Sequence, residues 1–87
     1  MNSLRVIIHG RVQGVSYRAW TSRTANALGL NGWVRNLRDG TVEAVFSGEE
    51  HRIVEMLEAC KRGSMLARVD RIEQFNHAQP VQPGFIT

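Results

Sequence analysis

The sequence predicts an α+β fold in which two helices cover one face of a mostly antiparallel sheet, in the order βαββαβ with at most a short fifth strand at the C-terminus. Three observations predict it. Apolar residues alternate through Leu4, Val6 and Ile8 and again on both sides of Asp39-Gly40; two other stretches carry them at helical spacing; and each change of period falls at a glycine or a turn signal. Strands and helices interleaved in this way make a two-layer sandwich.

The first strand runs through Leu4, Val6 and Ile8 and ends at Gly10. A loop leads to a helix from about Tyr17 to Leu28, with Tyr17, Thr21, Thr24, Ala25 and Leu28 on one stripe, Ser16 as the expected N-cap and Gly29 as the stop. That start places Arg18 in the first turn. Gly32, Val34 and Asn36, then Val42, Ala44 and Phe46, are the inward positions of a hairpin turned at Asp39-Gly40. Glu49 and Glu50 open a second helix whose stripe is Ile53, Met56, Leu57 and Cys60, and Lys61, Arg62 and Gly63 close it. Val69 to Phe75 reads as a fourth strand, although Val69 and Ile72 are out of alternation, which predicts a bulge or a later start. The tail holds both prolines, and Phe85-Ile86-Thr87 suffices for an edge strand only. On the side away from the helices, Arg5, Trp33, Arg35, Glu43 and Val45 are expected to form a mixed, solvent-facing surface.

At 87 residues the chain supports one domain, 1–87, with one core. A hydrophobic fraction of 43% suits a globular protein, and no stretch nears the roughly 18 apolar residues of a membrane span. The opening Met1-Asn2-Ser3-Leu4-Arg5 lacks signal-peptide features, so a cytoplasmic, stand-alone protein without membrane attachment is expected, and a monomer for want of an apolar seam. Cys60, the single cysteine, is expected in the core. It has no disulfide partner, and His9, His51 and His77 lack metal-ligand spacing, so neither metal nor cofactor is expected. Eleven Lys and Arg against eight Asp and Glu give a formal charge of +3. All of the cations but Lys61 are arginines, whose planar fork suits phosphate.

The chemistry concentrates in Gly10-Arg11-Val12-Gln13-Gly14-Val15-Ser16-Tyr17-Arg18. Successive backbone N–H groups entering a helix N-terminus bind tetrahedral anions, so the N–H groups of Gln13, Gly14, Val15, Ser16 and Tyr17 are candidate phosphate donors, with Arg18 adding a charged, bidentate grip. A plain strand-to-helix turn with a solvated arginine is the competing reading of the same spacing. The loop has neither the lysine of a Walker motif nor the pattern Gly-x-Gly-x-x-Gly, and the position six before Arg18 is Val12, not the cysteine of a phosphatase that works through a thiol. No base adjoins Ser16 to make it a nucleophile. Asn36 falls on the inward face near its strand end, where a polar amide needs partners; it either braces the hairpin or positions a water beside the phosphate.

With Gly32-Trp33-Val34-Arg35-Asn36, Asp39-Gly40-Thr41-Val42-Glu43 and Ala67-Arg68-Val69-Asp70-Arg71-Ile72 following in order, the sequence resembles the acylphosphatase family. The resemblance implies a ferredoxin-like sandwich that hydrolyses the carboxyl–phosphate bond of small-molecule acyl phosphates, releasing a carboxylate and inorganic phosphate without a metal. Arg18 matches the family's phosphate-binding arginine and Asn36 its water-positioning asparagine, the two catalytic residues implied. Two departures are a proline-free loop at Gly63-Ser64-Met65-Leu66 and a short last strand, both bearing on stability. A noncatalytic anion-binding module is the alternative. An RNA-binding sandwich is disfavoured because the strands lack an aromatic-rich stacking surface, so no nucleic-acid partner is expected.

Overall fold

The computed structural model describes residues Asn2–Thr87. Strand β1 (Asn2–Arg11) leads to helix α1 (Tyr17–Ala27), then β2 (Asn31–Asn36), β3 (Val42–Gly48), α2 (Glu50–Arg62), β4 (Arg68–Asn76) and β5 (Phe85–Ile86). The sheet order is β4-β1-β3-β2-β5, antiparallel throughout except where β5 lies parallel to β2. This is the α+β sandwich that the periodicities predict, with the ferredoxin-like order that the resemblance implies.

Inward residues of the strands meet the helical stripes in one core. Val6, Ile8, Val34, Val42, Ala44 and Phe46 pack with Tyr17, Ala25, Ile53, Met56 and Cys60. At its C-terminus α1 ends as expected, with the N–H of Leu30 donating to Ala25 O (2.9 Å) and that of Gly29 to Asn26 O (3.0 Å), so two otherwise orphaned carbonyls are satisfied. The irregularity in β4 is a bulge: His9 pairs Arg71 and Gly10 pairs Val69, leaving Asp70 as the extra residue.

Two expectations are corrected. Ser16 occupies the N-cap position of α1 in the left-handed region (φ 62°, ψ 22°) and its side chain makes no capping hydrogen bond. Propensity favours an extended serine there, and the curvature of the loop overrides it. The face without helices is also less open than expected. Val45 is fully buried and Glu43 only 7% exposed, because the side chains of neighbouring strands close over them. Glu43 accepts from Arg5 Nη1 (3.0 Å) and Arg35 Nε (2.6 Å), while Arg5 lies over Phe75 and Arg35 over Trp33.

Candidate active site

Strands β1 and β2 both run antiparallel to β3, hence parallel to each other, and end at the same edge of the sheet. The Gly10–Arg18 segment leaves β1 there, and Asn36 is the last residue of β2. Two segments far apart in sequence thus share one edge, separated by the width of β3.

The loop is curved by two left-handed residues, Gly14 (φ 74°) and Ser16 (φ 62°). Ser16 is the only non-glycine residue with positive φ among the described residues. Such a conformation costs roughly 1–2 kcal/mol for a residue with a Cβ, and strain of this kind gathers where a backbone shape is used. Alternation of handedness along a short segment turns successive N–H groups toward one point, which makes an anion-binding concavity. The candidate donors Gln13, Gly14, Val15, Ser16 and Tyr17 span this bend.

Helix α1 continues the same field. Its first internal bond runs from the N–H of Trp20 to Ser16 O (3.0 Å), so the N–H groups of Tyr17, Arg18 and Ala19 precede the intrahelical ladder. No acidic residue occupies the first turn, whereas α2 follows the ordinary rule with Glu50 at its start and Lys61 and Arg62 at its end. Arg18 is exposed and enters none of the ion pairs among the described residues. A guanidinium at the positive end of a helix, without a carboxylate beside it, leaves an electrostatic need that an anion would meet.

Tyr17, one residue earlier, is buried and donates its hydroxyl to Cys60 O at 3.0 Å, tying the start of α1 to the last turn of α2. Burial raises its pKa, so the phenol stays a donor. Cys60 is fully buried, as expected, and burial raises its thiol to about 12.

Asn36 departs from its expected surroundings. Its side chain lies on the inward face, but β2 runs past the core at its end, and Asn36 is exposed where Val34 is buried. The amide that braces this end of the hairpin belongs to Gln13. Its Nε2 donates to Leu37 O (2.8 Å) and to Thr41 O (2.9 Å), a side-chain role that motif spacing could not indicate because both acceptors are backbone atoms on another element.

One hollow of about 650 Å³ lies at the opposite end of β1, beside Leu4, Ile53 and Leu57; another of about 320 Å³ borders the site segment at Gly10 and the β2–β3 turn at Asp39 and Thr41, with Arg68 and Arg71. Neither is lined by Arg18 or Asn36. Arg18 and Asn36 are both exposed, so the candidate site is a surface cradle, suited to a ligand held by its charged end.

The sequence model of the family described as Acylphosphatase matches residues 4–86. Over 85 residues the chain is 55% identical to an acylphosphatase of Rhodospirillum rubrum, across 98% of this chain and 93% of that protein. It is 52% identical over 85 residues to an acylphosphatase of Azorhizobium caulinodans, across 97% and 91% respectively. Its fold matches the crystal structure of acylphosphatase from Bacillus subtilis with a TM-score of 0.94 at 34% identity, covering 99% of this chain and 97% of that one.

Proposed function

Because this chain belongs to the acylphosphatase family and is an enzyme that hydrolyses acyl phosphates, we propose that Arg18 and the Gln13–Tyr17 backbone bind the phosphoryl group while Asn36 positions the attacking water. The observation that carries the phosphate side of this assignment is the left-handed Ser16 followed at once by a helix start that bears, in place of an acid, an arginine outside the ion pairs of the described residues.

The substrate's carboxylate is a good leaving group, so positioning and charge stabilisation suffice. The Asn36 carbonyl oxygen accepts a hydrogen bond from the water and aims its lone pair along the line of the phosphorus–carboxylate bond. A new P–O bond forms as the bond to the acyl oxygen breaks, and the electron pair leaves on the carboxylate. Charge on the equatorial oxygens meets the loop N–H groups and Arg18. The water's proton passes to the phosphate itself, so the reaction calls on neither a side-chain base nor a metal.

The substrate class is small acyl phosphates, with inorganic phosphate as the shared product. We take residues 1–87 as one domain acting as a cytoplasmic monomer without a nucleic-acid partner. The packing of both helices and all five strands about one core supports the single domain. The engagement of Arg5 and Arg35 with Glu43, and of Trp33 with Arg35, supports the last point, because these side chains are not free to stack on bases.

The test is release of phosphate from benzoyl phosphate, with EDTA present, by folded wild-type, Arg18→Ala and Asn36→Ala proteins. Arg18→Ala raises KM and lowers kcat. Asn36→Ala lowers kcat by about 100-fold to 1000-fold, the usual loss for one preorganised polar group, with inorganic phosphate still binding. An Asn36→Ala protein with wild-type kcat would overturn its assigned role.

A further inference from the structure

We propose that Gln13 is a positioning residue for hydrolysis: its side-chain amide locks the phosphate cradle to the strand end that carries Asn36 and so sets the distance between bound phosphate and attacking water. This rests on the site assignment above and goes one step beyond it.

The cradle and Asn36 belong to strands that are not neighbours. Strand β3 lies between β1 and β2, so their ends are separated by two interstrand spacings, about 10 Å. Along the chain, the whole of α1 intervenes. Among the side-chain hydrogen bonds of the described residues, those of Gln13 are the ones that cross this gap, from the cradle to Leu37 O at 2.8 Å and Thr41 O at 2.9 Å. Both Nε2 hydrogens are used, which fixes the amide's orientation. Leu37 is the residue after Asn36, so the anchor acts on the backbone next to the functional side chain.

The fold does not depend on this anchor. Leu37 O also accepts from the N–H of Gly40 (3.3 Å), and Thr41 O accepts from the N–H of Leu37 (2.9 Å). Each carbonyl therefore keeps a backbone donor when Gln13 is replaced, and the hairpin closes without it. What the replacement removes is the fixed relation between cradle and strand end. In-line attack is sensitive to that relation, since a misplacement of about 1 Å costs on the order of 100-fold in rate.

The experiment is a double-mutant cycle on benzoyl phosphate hydrolysis with Gln13→Leu and Asn36→Ala, singly and together. Gln13→Glu is run in parallel as a same-length variant that replaces the donor with an acceptor facing two carbonyls. All retain the backbone N–H at position 13, and Gln13→Leu and Asn36→Ala add no charge, so inorganic phosphate inhibits these two within about 3-fold of wild type, whereas the like charge of Gln13→Glu weakens that inhibition. The expected result is a fall in kcat of about 10-fold to 100-fold for Gln13→Leu and Gln13→Glu, with less than about 2-fold further loss when Gln13→Leu is added to Asn36→Ala. Equal losses in both backgrounds would show that Gln13 acts elsewhere, and wild-type kcat in either folded Gln13 variant would overturn the proposal. Wild-type kcat in Asn36→Ala alone would remove the site assignment, and the proposal with it.

Discussion

At Gly10 and Gly14, the same residue type serves two different needs. A Cβ at Gly10 would sit 2.0 Å from Arg68 O, and its φ of +136° suits no other residue; a Cβ at Gly14 would meet nothing within 4 Å, with φ at +74°. Gly10→Ala therefore lowers stability by more than about 2 kcal/mol, combining backbone strain with a clash that a strand must move to relieve. Gly14→Ala costs about 1–2 kcal/mol and shows itself chiefly as weaker inhibition by phosphate. Urea unfolding and product inhibition of both variants separate the two roles. The sequence marks these glycines alike, because the obstacle at Gly10 comes from β4 and only strand pairing brings it there. The same limit applies to Asn36 and Gln13. Alternation places Asn36 on the correct face and strand end, yet cannot show that the strand outruns the core, and the spacing around Gln13 holds no trace of Leu37 O and Thr41 O. The place of Arg18 in the first turn of α1 is readable, because the helical stripe fixes where that helix begins.

The helices and strands were legible wherever a period ran cleanly: α2 has its charges at the matching ends, and β4 has its bulge where alternation fails. The start of α1 falls where the sequence predicts it, but Ser16 makes no side-chain cap, because the loop requires a left-handed residue where propensity favours an extended one. Position 43 departs from the sequence expectation for a similar reason, since its burial depends on the two neighbouring strands. Glu43 links β3 to β1 through Arg5 and to β2 through Arg35. Glu43→Gln lowers stability by about 1–3 kcal/mol, in the range of charge-assisted hydrogen bonds, with the share from the more exposed Arg35 at the low end; thermal unfolding checks it. In the β2–β3 turn, the hydroxyl and then the backbone N–H of Thr41 hold the Asp39 carboxyl below the ordinary aspartate range. A folded-state pKa depressed in this way stabilises above the unfolded value, and the benefit is lost as pH falls through the folded one. The melting-temperature advantage of the wild type over Asp39→Asn is accordingly present at neutral pH and shrinks in acid.

Across the whole molecule the formal charge is +3, and Arg11, Arg18 and Arg38 stand exposed at or near the edge where β1 and β2 end, outside the ion pairs of the described residues. This field draws an anionic substrate to an open cradle. Raising salt from about 0.01 M to about 0.15 M shortens the screening length from ~30 Å to ~8 Å, so kcat/KM falls while kcat changes less, as steady-state kinetics at both strengths will show. The bond from Tyr17 to Cys60 O has a consequence at the same scale. A sealed thiol of pKa about 12 reacts with a disulfide reagent only when the end of α2 parts from the start of α1. Its labelling rate is then a clock for excursions of the cradle's foundation. Phosphate at 100 times its dissociation constant slows that clock by about 100-fold if the excursion abolishes binding, so one sulfur in the interior reports the traffic of anions at the surface.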